Sequence, residues 1–373
     1  MNKKTILALT IGFACLSSQV NARNQVADAR GNAMGNTGVA SANYLLAPFY
    51  NPALVASADS SDDFAILLPA LAISARDSDD SLSLIDDLQS SIEDYENSNS
   101  SDKLNEINTY LDQLNANSPL TVSANLGVAV AVPNKVVSSN LYARGYIEIV
   151  ASTDITQNDY NNSYVDLVAF GYSEVGLALA KDFMISEQKV SIGFTPKYQQ
   201  MKTYAQRTSV EEFDIEDYDE SEISKNAFNM DLGVVWHYDN FRAGLSLKDL
   251  LAQKITVDNG SFNDVYKLDT QATLGLAYTT DFVTVAFDAD LTQQTRFQSL
   301  NDDTQFVRIG VEGNLLGWAQ LRAGYEMDLE DTLDNAFTAG IGFSPFDIVH
   351  FDIAGSYSGE NQFGVSTNLA LTF

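Results

Sequence analysis

Cysteine is nearly absent: Cys15 stands alone in 373 residues. A single thiol so near the N-terminus excludes a disulfide framework, a Cys-based zinc site and a thiol-pair redox centre. Histidine is almost as scarce. His237 and His350 lie far apart and inside strand-like patterns, so a histidine metal site or a catalytic triad has little to build on and structural or lumenal histidines are expected. Basic residues are few, with 21 Lys and Arg against 50 Asp and Glu and a formal charge of −29, which argues against nucleic acid as a partner. Long apolar runs are missing too. Beyond residue 22 none approaches the ~20 residues of a membrane helix, and the longest, residues 64–73, already contains Pro69. If this chain spans a bilayer, it does so as a closed barrel.

What is present begins with Lys3 and Lys4, an apolar run over 6–16 and the small-residue cleavage pattern Val20-Asn21-Ala22. This reads as a secretory signal peptide over residues 1–22. Cleavage after Ala22 would remove two lysines and Cys15, leaving 351 residues with a net charge of −31. A lipoprotein signal ending at Cys15 competes with this, against a bulky Phe13 and an unusually short signal.

The last stretch, QFGVSTNLALTF over 362–373, alternates an apolar side (Phe363, Val365, Thr367, Leu369, Leu371, Phe373) with a small or polar one (Gly364, Ser366, Asn368, Ala370, Thr372). Lipid on one side and a wet lumen on the other would produce that pattern, although a sandwich strand would as well. Fourteen such segments are expected, near 63–75, 121–132, 139–151, 166–182, 188–203, 225–238, 240–249, 270–279, 281–291, 304–314, 318–328, 335–343, 347–356 and 362–373. In the first, Phe64, Ile66, Leu68, Ala70 and Ala72 are placed on one side. Short and long connections alternate along the chain, as they do between periplasmic turns and external loops and as they do not in a sandwich. Residues 77–119 change period. Leu82, Ile85, Leu88 and Ile92, then Leu104, Ile107, Leu111 and Leu114, recur at three and four residues, which predicts two amphipathic helices, the first capped by Asp80 and the second closed by Pro119. They are expected as an extracellular lid over one barrel end, or as a helical hairpin with no role beyond folding.

The expected fold is therefore all-β, a transmembrane antiparallel β-barrel of about 14 strands over residues 61–373, with an N-terminal hatch over 23–60 and the helical insertion at 77–119. Lipid-facing positions include Val285, Phe287, Ile309, Val311, Leu321, Phe351 and Ile353. The opposite side holds Asp288, Asp290, Arg308, Glu312, Gln320, Arg322, Glu326, His350 and Asp352, with Arg242 and Lys248 from an earlier hairpin. Charges of both signs suit a lumen wall, where they either hydrate and brace the barrel or line a translocation path.

Several motifs are incomplete. Residues 355–359, GSYSG, have the wrong spacing for a nucleophile elbow, and Gly340-Ile341-Gly342 lacks the third glycine and the helix of a dinucleotide fingerprint. No catalytic residue, metal site or cofactor is expected, and a lipase or protease finds no constellation to support it. The acidic run 211–222 lacks EF-hand spacing and reads as a solvated external loop.

Residues 29–56, ARGNAMGNTGVASANYLLAPFYNPALVA, lack helix or strand periodicity, yet Tyr44, Leu45, Leu46, Phe49 and Tyr50 would sit poorly in water, which favours a plug over a surface arm. The Gly-rich start followed by Asn51-Pro52-Ala53 resembles the hatch of FadL-type long-chain fatty-acid transporter barrels. The longer phrase is similar to a Gram-negative family of TraF-like conjugal transfer proteins. The first resemblance implies a passive outer-membrane channel for a hydrophobic or amphipathic, fatty-acid-like molecule, gated at Phe49, Tyr50, Asn51, Pro52 and Ala53, with Leu82, Ile85, Leu104 and Leu111 as an apolar entrance. The second implies a structural or assembly component of a conjugal transfer or related envelope system, with conjugation proteins as partners. A thioredoxin-type function, which that name also covers, needs a cysteine pair that this chain lacks. The C-terminal strand ending at Phe373 resembles the signal read by the barrel assembly machinery. Outer-membrane lipid is then the surrounding partner, in the outer membrane of a Gram-negative bacterium.

Overall fold

The computed structural model describes residues 26–59, 62–213, 222–258, 263–298, 302–315 and 317–373. The expected signal peptide with Cys15 and the middle of the acidic run lie outside them.

Fourteen strands close into an antiparallel barrel in which each strand pairs with its neighbours in the chain and the first pairs with the last. They are β1 (Ala65–Arg76), β2 (Leu120–Val132), β3 (Ser138–Asp154), β4 (Tyr164–Ile185), β5 (Gln188–Ser209), β6 (Ile223–Tyr238) and β7 (Phe241–Lys248). After the hairpin of β8 (Gln253–Asp258) and β9 (Asn263–Leu268) come β10 (Gln271–Thr279), β11 (Val283–Asp290), β12 (Phe306–Leu315), β13 (Ala319–Asp328), β14 (Ala336–Phe343), β15 (Val349–Gly359) and β16 (Gln362–Thr372). Closure leaves no unpaired edge, the condition for a sheet in lipid. No helix among the described residues is long and apolar enough to cross a membrane. β1 meets β16 from Ala65↔Thr372 to Arg76↔Gln362, and the backbone N–H groups of Asp63 and Phe64 donate to the Phe373 carbonyl, at 2.7 and 3.1 Å. The last residue thus seals the barrel seam.

Large apolar side chains face outward along the strands, among them Leu232, Val234, Ile309, Val311, Leu321 and Ile353. Aromatic residues bound this band. At the short-turn end Trp236 stacks with Tyr238, Phe241 meets Tyr278 and Trp318 stacks with Phe343; at the other end Tyr325 meets Phe337 and Tyr357 meets Phe363. From Phe228 to Trp236 the strand rises roughly 27 Å, which a tilt of about 40° shortens to roughly 21 Å, near the apolar band height of transmembrane barrels.

Four expectations need correction. The alternation of β1 does not run unbroken. Its pairing with both neighbours shifts register between Leu67 and Leu71, around Pro69, which cannot donate a ladder hydrogen bond. Beyond the irregularity Ala70 and Ala72 are buried while Leu71 is exposed, so they leave the side of Ile66 and Leu68.

The helices form, as α2 (Ser81–Ser98) and α3 (Ser101–Leu114), but Asp80 does not cap α2. It adopts a left-handed backbone, and Asp77 instead accepts from Ser81 N (2.6 Å) and Leu82 N (3.1 Å).

Nor do the helices cover the lumen. Their inner faces (Ile85, Leu88, Ile92, Ile107, Leu111) pack with Leu120, Ala151 and Val165. In these strands Ser123, Glu148 and Phe170 belong to the inward set, so by parity the three contact residues face outward. The hairpin therefore leans on the outer face of the strand ends that carry the long connections. Ile85 and Leu111 are buried in that contact, which excludes them from a lumenal entrance, and Leu82 and Leu104 ride on the same hairpin.

The lid is the β8–β9 hairpin, which falls between the segments expected at 240–249 and 270–279. Ile255, Val257, Tyr266 and Leu268, with Phe297 from the next loop, pack on the inward-facing Tyr146, Val150, Val168, Phe170, Met201 and Ala205. Tyr266 stacks on Phe170 at 3.5 Å between ring centroids.

Candidate functional site: the plug, its wall and the chamber above it

Residues 26–59 lie inside the barrel. A short helix α1 (Ala29–Ala33) is capped by Asp28, which accepts from Arg30 N and Gly31 N at 2.9 Å and from the Tyr50 hydroxyl at 3.0 Å. Two single-turn helices follow, Ala47–Phe49 and Pro52–Ala56. Asn51 caps the second by accepting from Ala53 N at 3.1 Å, and its amide donates to the Val39 carbonyl at 2.9 Å. Asn51 and Ala53 are fully buried, as is Phe49, and Pro52 is buried with them.

Glycines on the inner wall make this fit possible. A Cβ added at Gly193, Gly233, Gly244, Gly275, Gly310 or Gly324 would lie within 3.0 Å of Pro52, Asn51, Val39, Val39, Met34 and Gly35 respectively. Three of the positions are cross-strand partners of the other three: Gly193 with Gly233, Gly244 with Gly275, Gly310 with Gly324. Together they form a belt on which the backbone of the plug rests, a close approach that only glycine allows.

The expected lumen-wall residues all face inward, and the structure gives them specific partners. Arg308 pairs with Asp290 (2.9 Å) and Glu326 (2.8 Å); Arg322 pairs with Glu312 (2.6 Å) and Asp352 (2.5 Å). The plug joins the same ladders. Arg30 binds Glu312 through two bonds of 2.8 Å, Asn36 donates to Glu326 at 3.0 Å, and Asp288 accepts from Gly38 N and Val39 N at 2.7 and 3.0 Å. Asn368 links the set by donating to Asp352 and accepting from Ala29 N. Burial opposes the Arg30 charge, and Glu312 more than offsets it, holding the guanidinium above its ordinary value. Burial also pushes the Asp28 carboxyl up, against the Gly31 N–H. Gln320 donates to Ser344 and His350 shares a 2.9 Å hydrogen bond with Thr372, both near the short-turn end. His237 bonds Ser191 at 2.8 Å on another part of the wall, so the two histidines make separate local contacts.

Of the other half of the wall, the sequence reading names only Arg242, Lys248 and His237. Lys197 is fully buried against Asp231 and Asp249, each at 2.8 Å, and Glu174 at 3.6 Å, while Arg144 meets Glu174 at 2.6 Å. Asn140 donates to the carbonyls of Tyr44 and Leu45, Ser246 to Tyr50, and Lys248 to Phe49. The available signal was parity: Asn140, Glu174, Lys197, Asp231 and the six glycines all fall at inward positions of strands whose other side is apolar.

Between plug and lid lies a chamber of about 110 Å³. Phe49 and Tyr50 form its floor, Tyr146, Tyr172 and Phe306 its sides, and Tyr266 of the lid closes it. A second cavity of about 350 Å³ lies on the other side of the plug, against Arg30, Asn43, Arg322 and His350.

A closed fourteen-strand barrel with an interior plug defines a class, the plugged transmembrane barrels. Within it, residues 48–290 match the family described as F plasmid transfer operon, TraF, protein; this is more than half of the chain, and the chain belongs to that family. Among solved structures, the chain is similar to the toluene transporter TbuX of Ralstonia pickettii, with 12% identity over 92% of this chain and 97% of that one and a TM-score of 0.57. It is also similar to a deltaS2S3 mutant of the monoaromatic hydrocarbon channel TodX, with 11% identity over 95% and 98% and a TM-score of 0.54. At such identities the likeness establishes the shared fold. No curated protein matches the chain.

Proposed function

We propose that this chain is a passive outer-membrane channel for small hydrophobic or amphipathic molecules, and not an enzyme. The observation that carries the reading is the chamber held between plug and lid, with Phe49, Tyr50, Tyr146, Tyr172, Tyr266 and Phe306 in its wall. Its wall sets aromatic rings beside convergent polar and charged groups, and such polar groups fix the orientation of a small molecule in its site. The fold shared with a toluene transporter supports it. In this reading Phe49, Tyr50, Asn51, Pro52 and Ala53 form the gate, the paired charges from Asp288 to Asp352 brace the wall around it, and the C-terminal strand addresses the chain to the barrel assembly machinery. The test is organic extraction and mass spectrometry of the barrel purified in mild detergent, beside uptake of labelled toluene by cells with and without it. A molecule enriched over an unrelated barrel, together with faster uptake, supports the channel; the control's lipids and unchanged uptake refute it.

Family membership and a plug that occupies the lumen favour a second reading, an envelope-assembly component acting by contact with conjugation proteins. It expects partner proteins to co-purify with the intact barrel and to be lost when the external loops are trimmed, with no change in uptake.

A further inference from the structure

We infer that the chamber takes a neutral one-ring aromatic molecule bearing a hydroxyl, the phenol class, in preference to a bare hydrocarbon or an aromatic acid. The inference rests on the channel reading above and concerns the same chamber.

Size comes first. The space is about 110 Å³, somewhat below the ~150 Å³ of an engineered cavity that holds benzene. The chamber has room for one ring at most.

Charge comes next. Six charged residues line the chamber: Arg144, Lys248, Asp249, Asp288, Asp290 and Arg308. Four of them are committed to partners, Arg144 to Glu174, Asp249 to Lys197, and Arg308 to Asp290. That leaves Lys248, whose ammonium donates to the Phe49 carbonyl, and Asp288, whose Oδ2 accepts from the plug while its Oδ1, in a residue only 2% exposed, has no hydrogen-bond partner. A buried carboxylate oxygen without a donor is costly. A ligand hydroxyl in the chamber can donate to this free oxygen of Asp288.

The surroundings exclude an anion. Counting the partners, Arg144, Lys197, Lys248 and Arg308 stand against Glu174, Asp231, Asp249, Asp288, Asp290 and Glu326. Carboxylates outnumber cations, so an added negative charge is repelled in a low-dielectric space. A cation would meet Lys248.

The test uses the full barrel in mild detergent, titrated calorimetrically with three probes of similar size: 4-methylphenol, toluene and 4-methylbenzoate. We expect 4-methylphenol to bind ~10-fold or more tighter than either of the others, the effect of a hydrogen bond to a charged group. Asp288→Asn, which replaces the free acceptor with an amide of the same size, should bring 4-methylphenol towards toluene. Protease protection of the plug checks that the variant remains assembled. Toluene or 4-methylbenzoate binding as tightly as 4-methylphenol would overturn the assignment and leave the channel standing. Failure of all three probes to bind would overturn both.

Discussion

The glycine belt makes a prediction that separates the plug from the barrel. In the double variant Gly193→Ala and Gly310→Ala, one new methyl group drives into the backbone of Pro52 and Ala53 and the other into Met34. Neither neighbour is the flexible end of a side chain. Overpacking of this kind costs ~1–3 kcal/mol per site, and the positions, on β5 and β12, are far enough apart around the wall for the costs to add to ~2–6 kcal/mol. The wall cannot give way, because each strand is hydrogen-bonded on both sides around a closed ring. The plug is held by a finite set of side-chain contacts, so it gives way first. The population of molecules with the plug displaced should rise by a factor between ~30 and ~10⁴. Arg30, paired with Glu312 and shielded in the native plug, then becomes a site for trypsin, and its cleavage rate follows the displaced population when reclosing is fast. Gly313→Ala with Gly355→Ala is the control, since an added Cβ there meets nothing nearer than 3.7 Å. Folding of the barrel is followed by its heat-dependent migration in gels. Unchanged cleavage at Arg30 in the folded double variant, or loss of the barrel itself, would refute the reasoning.

Asp77→Ala should lower the stability of the α2–α3 hairpin by ~1 kcal/mol, read as faster amide exchange in residues 81–92, while Asp80→Asn, which tolerates the same left-handed backbone, should leave that exchange unchanged. Replacing residues 78–118 with a short Gly-Ser linker should leave uptake and chamber binding unaltered, because the helices pack on the outer face of the wall. A loss of uptake comparable to deletion of the β8–β9 hairpin would reassign the lid.

Strand positions were legible because an outward apolar side and an inward small or polar side produce a two-residue period that needs no partner to be seen. The register of β1 was not legible, since the shift at Pro69 follows from how two neighbours pair around a missing N–H. The α2 cap was misplaced by three residues because Asp77 and Asp80 are chemically equivalent in sequence, and only the left-handed backbone of Asp80 separates them. β8 and β9, six residues each, were too short to stand out, and their burial depends on Phe170 and Met201 far away. In the site, the charged wall positions could be read one by one, whereas their pairing with Arg30, Asn36 and the amides of Gly38 and Val39 depends on a plug whose course has no periodicity.

The plug is not held equally along its length. Residues 33–39 and 51–53 are wedged on glycines, where any side chain on the wall would collide with them. Residues 44–50 are held differently, by side chains of the wall that donate to their carbonyls: Asn140 to Tyr44 and Leu45 at 3.1 and 2.8 Å, Ser246 to Tyr50 at 2.6 Å, and Lys248 to Phe49. The same stretch lies between the two cavities, with Phe49 and Tyr50 against the upper and Asn43 at its edge against the lower. If a molecule passes, the path of least work is to release this segment while the wedged parts stay fixed. Asn140→Ala removes two of the four contacts, at a net ~0.5–1.5 kcal/mol each, and should speed passage of a one-ring probe through the barrel in liposomes by ~5-fold or more with the wedged segments still protected from protease. Faster passage accompanied by cleavage at Arg30 would mean that the plug moves as one body, and unchanged passage would mean that the route avoids residues 44–50.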